Sequence, residues 1–401
     1  MDCTRRSLLK AGAVGLTALF LPPRLRDLAA ATAGTPTLVV LFLRGGVDAL
    51  NVVVPAADPL YYAARPTIQV PRDAELALDG FYGLHPAFAE LLPLYRDGAL
   101  AFVHACGSPH PTRSHFLSQS VMERAAPDDK SVADGWLNRY LAVTGGGDPV
   151  AGISLKAAMV RAMQGPAPAL SFPRIASFAL AGEFVTERRT ALVERYAPTA
   201  GTMPGDHMLD ALDTVDTLAT VPEPDRDRYP DTELGAALAD AAALIKAEIG
   251  VKVIAMDTRR WDHHFGEVDG LDAMGGELAS GLRAFHDDLG GHASGTLTLC
   301  MSEFGRRVRE NGTGGTEHGH GGLMLALGGG VAGGRVLTRD NHWPGLAPDA
   351  LFRGEDLPVT TDFRDVFAEI LHAHLGVGLR ECRRILPDFD VDATRFPGLF
   401  T

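Results

Sequence analysis

An acid and two histidines occupy consecutive positions at Asp262, His263 and His264, and a second acid and two histidines lie close together at Glu317, His318 and His320. Carboxylate oxygen and imidazole nitrogen form the mixed donor set that zinc and similar transition metals accept, so both stretches are candidate cation sites. A local turn brings Asp262 and His264 to one side, with His263 as a second candidate. Glycines flank the later run, and they let a ligand loop bend toward an ion. Glu303 directly follows an apolar run, where a carboxylate is costly to bury unless it is paired with Arg306 or a metal.

Two further stretches add chemistry. In RGGVDALN, Gly45 and Gly46 permit a tight turn that leaves Asp48 and Asn51 at a strand mouth. There Asp48 is either a ligand for a hard cation or a helix N-cap. In CGSPHPTRSHF, Arg113, Ser114 and His115 precede a helical pattern, so Ser114 is either a nucleophile toward an anionic ester at a helix N-terminus or a cap, with Thr112 able to replace it in both roles.

Short aliphatic runs have to position these groups: 37–43, 99–105, 251–256, 296–301 and 323–328. Amphipathic stretches such as TELGAALADAAALIKAEIG alternate with them. Continuous apolar strands between helices predict a three-layer α/β/α fold around a mostly parallel sheet. Such sheets carry their chemistry past the carboxyl ends of the strands, and four of the runs lead straight into RGGVD, CGSPHPTRSHF, DTRRWDHH and SEFGR. Residues 311–322 and 328–334 read as glycine-rich loops. The Ala-, Pro- and Gly-rich stretch 145–232 reads as a helical insertion or cap within a single domain spanning 34–401.

The first 33 residues combine Arg5 and Arg6, an apolar run from Ala11 to Leu21 and the small residues Ala31 to Ala33, the pattern of a twin-arginine export signal. The apolar run is short of a membrane span and ends at Pro22 and Pro23. A periplasmic or secreted location follows as an expectation, with the twin-arginine translocase as the partner during export. The formal charge of −13 becomes −16 without that segment. A surface that acidic repels nucleic acid. Cys106, Cys300 and Cys382 lack zinc-site spacing and leave room for one disulfide at most.

The ordered motifs RGGxDxLNxVVP, CGxPxPxRSHF, WDxH, SEFGR and acid-His-Gly resemble the domain-of-unknown-function family numbered 1501, whose members are similar to the alkaline phosphatase and sulfatase superfamily. The resemblance implies an alkaline-phosphatase-like α/β fold and an exported metal-dependent hydrolase of phosphate or sulfate esters, acting on an anionic small molecule or glycan ester. It implies one or two divalent ions (zinc, manganese, magnesium or calcium). Asp48, Asp262, His264, Glu317 and His318 are the implied ligands, with His320 ahead of His342 for a final histidine. Ser114 takes the nucleophile's place, and Arg113 or Arg306 would steady the ester oxygens. Glu317 stands where the family usually has Asp, His263 where it often has Thr, and residues 106–113 do not form the formylglycine motif. The alternative is a non-catalytic exported protein on the same scaffold, binding a cell-envelope component or a partner.

Overall fold

A computed structural model describes residues 34–127, 129–180 and 183–400. The export signal expected over 1–33 lies outside the described residues. Eleven strands are used below: β1 Thr37–Leu43, β2 Leu100–Gly107, β3 Gly152–Ser154, β4 Leu170–Ser171, β5 Val253–Thr258, β6 Thr296–Met301, β7 Arg306–Glu310, β8 Thr316–His318, β9 Gly322–Gly328, β10 Arg335–Leu337 and β11 Thr361–Asp362. Nine of them form the central sheet in the order β10-β2-β9-β6-β1-β5-β3-β4, with β11 also on β2. All pairings are parallel except those of β9, which runs antiparallel to both β2 and β6.

Side-chain alternation along β1 sends residues to two separate cores. Val39 and Leu41 pack beneath the helices Glu233–Lys246 and Glu267–Leu289, among Leu238, Leu278 and Phe285. Leu38 and Val40 pack on the opposite face with Trp136, Leu137 and Phe367. The Trp136 and Phe367 rings stack there with centroids 4.2 Å apart. Helices on both faces of a mostly parallel sheet are the architecture expected from the alternating runs. Cys106, Cys300 and Cys382 are buried in it as free thiols.

Two expectations need correction. Within 145–232, the helices Val185–Tyr196 and Met203–Leu218 do pack on one another, but β3 and β4 extend the central sheet, so the segment is not purely helical. Nor is 311–322 a plain loop. It contains β8, which pairs with β7 in an antiparallel hairpin that sets Arg306 opposite His318. No helix among the described residues is long and apolar enough to cross a membrane.

Candidate metal centre

The carboxyl ends of β1, β2, β5 and β6 share one edge of the sheet. The loop after β2 enters the helix α1, His115–Arg124, so its first residue is held at that edge. The loop after β5 supplies Asp262 and His264, and the β7–β8 hairpin after β6 supplies His318. Close backbone approach locks these pieces together. A Cβ on Gly45, whose φ is +134°, would sit 2.5 Å from the Asp262 nitrogen, and one on Gly315 would sit 2.5 Å from the His263 carbonyl oxygen. Both contacts are too short for any residue but glycine.

Three imidazoles surround the Asp262 carboxylate, and each has its Nδ1 turned to an outer acceptor. His115 Nδ1 lies 2.7 Å from Glu303 Oε1, His318 Nδ1 lies 2.9 Å from the Arg113 carbonyl, and His264 Nδ1 lies 3.2 Å from Glu317 Oε2. An acceptor at Nδ1 fixes the proton there in a neutral ring and leaves the Nε2 lone pair facing inward. Inside, His264 Nε2 is 3.0 Å from His318 Nε2, and each is 3.1 Å from Asp262 Oδ1. His115 Nε2 is 3.2 Å from Asp262 Oδ2, yet this buried nitrogen makes no hydrogen bond. With all three rings neutral and protonated at Nδ1, electron-rich atoms converge on the Asp262 carboxylate.

These spacings suit a shared cation. Metal bonds of about 2.0–2.2 Å in a tetrahedron set ligand atoms roughly 3.3 Å apart. The ligand atoms of His115, Asp262 and His318 all lie within 4.8 Å of one another. The donor set is one carboxylate and imidazoles with outer acceptors, a mixture that divalent transition metals accept.

Electrostatics keeps both acids of the site ionised, while the Glu303 hydrogen bond raises the His115 pKa, so a cation there must displace a proton from that ring. Burial works to raise the Asp262 pKa, but the Arg306 guanidinium and His318 override it and hold the carboxyl at about 2. Burial also opposes ionisation of Glu303, and hydrogen bonds from His115 and Gln119 more than offset it, so Glu303 remains an anion. Glu303 does not pair with Arg306, one of the two partners the sequence suggested. It instead accepts from His115, from Gln119 Nε2 at 2.8 Å and from the Gly45 N–H at 2.9 Å. A Glu303→Gln substitution is expected to weaken divalent-metal affinity by about 10–100-fold, as is usual for an outer partner of a ligating histidine. Competition against a chromophoric chelator measures it.

Several sequence candidates sit elsewhere. Asp48 caps the short helix Ala49–Val52 through Oδ1, and its Oδ2 lies 2.7 Å from Arg65 Nη1 in a fully buried ion pair. Of its two readings, the cap is the one the structure realises. Asn51 is buried in the same network, with Nδ2 2.7 Å from Glu267 Oε1. Asp257 pairs with Arg44 and Lys156. Glu317 backs His264 from outside, and His263 is buried against the position of Gly270. Neither arginine is free for an ester. Arg113 pairs with Asp356, and buried Arg306 donates to the carbonyls of Gly45, Gly46 and Thr316 as well as to Asp262. His342 is exposed at the end of a 3-10 turn.

His320 stands apart from that cluster. Its ring is buried and stacks on Phe352 with centroids 4.2 Å apart, and burial beside Arg113 and Arg353 lowers its pKa from 6.5 to about 4. A histidine held neutral in this way contributes its full stability above pH 6.5, and that contribution is lost as pH falls toward 4. The expected loss is roughly 3 kcal/mol. In urea unfolding at pH 7.5 and 4.5, His320→Phe, which keeps the stack but cannot be protonated, should lose correspondingly less stability than the unsubstituted protein. Equal losses in both would remove this role.

His115 is the member of the cluster that the sequence did not single out, because the neighbouring Ser114 hydroxyl drew the chemical reading of that loop. The available signal was Glu303, a buried acid at a strand end that needed a cationic or N–H partner.

The family model "Protein of unknown function (DUF1501)" matches residues 98–381. The chain belongs to this family. The matched span contains His115, Asp262, His264, Glu303 and His318, whereas Asp48 lies outside it. No curated protein matches the chain. Among solved structures, this DUF1501 chain is similar to the PsFucS1 sulfatase from Pseudoalteromonas sp., at 14% identity and TM-score 0.40 over 97% of this chain and 76% of that one. It is similar to the C-terminal periplasmic domain of EcEptC from Escherichia coli in complex with Zn, at 10% identity and TM-score 0.36 over 73% of each. It is also similar to the alkaline phosphatase of the Antarctic bacterium TAB5, at 11% identity and TM-score 0.27 over 74% of this chain and 92% of that one.

Proposed function

We propose that this DUF1501 protein is an exported, metal-dependent hydrolase of phosphate or sulfate esters with one divalent cation held by His115, Asp262 and His318, and with His264 beside them. The observation that carries the cation is the convergence of inward Nε2 lone pairs on a carboxylate kept ionised by Arg306. With Asp48 sealed against Arg65, the reading keeps one centre and drops a second. Zinc fits the donor set better than magnesium or calcium, which favour all-oxygen shells. When bound, such an ion lowers the pKa of an oxygen nucleophile and stabilises charge developing on the ester.

The chain's own residues supply the rest. Ser114 is exposed, its side chain makes no capping bond, and it immediately precedes His115 at the start of the ten-residue helix α1. In this reading its hydroxyl loses its proton to solvent and attacks the phosphorus or sulfur, the ester's alcohol or phenol leaves taking up a proton, water then hydrolyses the seryl ester, and N–H groups of the first helical turn receive the non-bridging oxygens. The outer acceptors Glu303, Glu317 and the Arg113 carbonyl hold the three imidazoles in their ligating tautomer.

The test is turnover of aryl phosphate and aryl sulfate by the protein supplied with zinc, manganese, magnesium or calcium. Ser114→Ala should abolish hydrolysis while leaving metal content unchanged. The engagement of Arg113 and Arg306 favours a second reading, a metal-binding but non-catalytic protein on the same scaffold. That reading is the one left if metal binds and neither ester turns over.

A further inference from the structure

Among the described residues, Phe116 and Phe265 are the two most exposed large apolar side chains, at 89% and 76%. Each is the immediate chain neighbour of a histidine of the cluster, His115 and His264. The rings of those histidines flank His318, with centroids 4.4 and 4.7 Å from it. Val268, 43% exposed in the first turn of the helix that follows Phe265, adds a third apolar group on that side. Scattered surface leucines and valines need no explanation, but two nearly bare phenyl rings beside one polar centre do.

A structural role does not account for them. Among the described residues, Phe116 and Phe265 take no part in a ring pair or cation–π contact, while Phe304 packs against His115 and His318 at 5.0 and 4.8 Å. The phenyl groups therefore contribute little to the fold, and in water each carries a cost in exposed apolar area of about 25 cal/mol per Å².

We infer that the site takes an amphiphilic ester, whose anionic head sits at the His115–Asp262–His318 cluster and whose apolar aryl or alkyl body lies over Phe116 and Phe265. This rests on the hydrolase reading of the same site. It adds that the leaving group is apolar, as opposed to a sugar or another polyol. The neighbouring polar groups of the cluster then supply charge recognition, and the two rings supply affinity that grows with the apolar area covered.

Binding of non-hydrolysable alkylphosphonates to the zinc-loaded protein, followed by calorimetry, tests this without turnover. Octylphosphonate should bind at least tenfold more tightly than ethylphosphonate. The Phe116→Ala/Phe265→Ala double variant should remove that preference and leave the affinity for ethylphosphonate and the zinc content unchanged. Equal affinity of the unsubstituted protein for the two phosphonates would overturn the inference while leaving the hydrolase reading intact. Binding of neither phosphonate to the zinc-loaded protein would instead count against the hydrolase reading itself. If sedimentation showed a dimer that the double variant dissolves, with no effect on chain-length preference, the rings would belong to a contact between two copies and the inference would fail.

Discussion

Replacing His115 by alanine is expected to leave the purified protein with less than a tenth of its divalent metal and to reduce ester hydrolysis by more than the roughly 10–100-fold that loss of an outer partner costs. The substitution removes the nitrogen 3.2 Å from Asp262 Oδ2 and also leaves Glu303 without its closest partner. Glu303 still accepts from Gln119 and from the Gly45 N–H, so the strand ends stay joined and the fold should survive. Elemental analysis together with circular dichroism separates the two effects. Loss of metal with an unchanged spectrum is the expected pair. Full metal content in His115→Ala would move the cation away from this centre.

Arg306→Met is expected to have the largest effect on stability, about 3–5 kcal/mol, the range for breaking a buried ionic group out of its partners. The guanidinium reaches three backbone carbonyls and Asp262, tying the turn after β1, the loop after β5 and the β7–β8 hairpin to one another. Methionine fills much of the volume but leaves those carbonyls without donors in a dry site. The Asp262 carboxyl also loses the cation that holds its pKa at about 2, although burial alone would raise it. Urea unfolding measures the first consequence. A lowered metal affinity in the fraction that remains folded measures the second. If Arg306 served an incoming ester, as the sequence suggested, stability would change little and only turnover would fall.

The scaffold was readable because its strands are buried on both faces and appear as unbroken apolar runs such as TLVVLFL. The same property hid the direction of β9. An apolar run pairs equally well parallel or antiparallel, and only the short hairpin that returns the chain after Glu310 turns β9 against its neighbours. β3 and β4, three and two residues long, give no periodicity to read. The β7–β8 hairpin was hidden for a different reason. Its residues are polar and glycine-rich, and what makes it a hairpin is its approach to the His263–His264 backbone.

At the site, residue types were legible and partners were not. Asp48 and Asp262 are both acids just past a strand, and nothing local tells them apart. Arg65, seventeen positions on, makes one a buried ion pair, while three imidazoles from distant segments make the other a candidate ligand. His318 and His320 are likewise two residues apart on the hairpin and its exit. One faces Asp262 and the other stacks on Phe352. Glu303 carried the most usable signal, since a buried acid needs a partner, but the sequence could not say that the partner was His115.

The most direct test of the account is anomalous X-ray scattering from crystals of protein purified without chelator, with data collected on both sides of the absorption edge of the metal found by elemental analysis. The account predicts a single strong peak about 2.0–2.2 Å from His115 Nε2, His318 Nε2 and an oxygen of Asp262. A metal peak at Asp48 or Glu317 with none between these three residues, or a metal-replete protein with no peak at this centre, would contradict it.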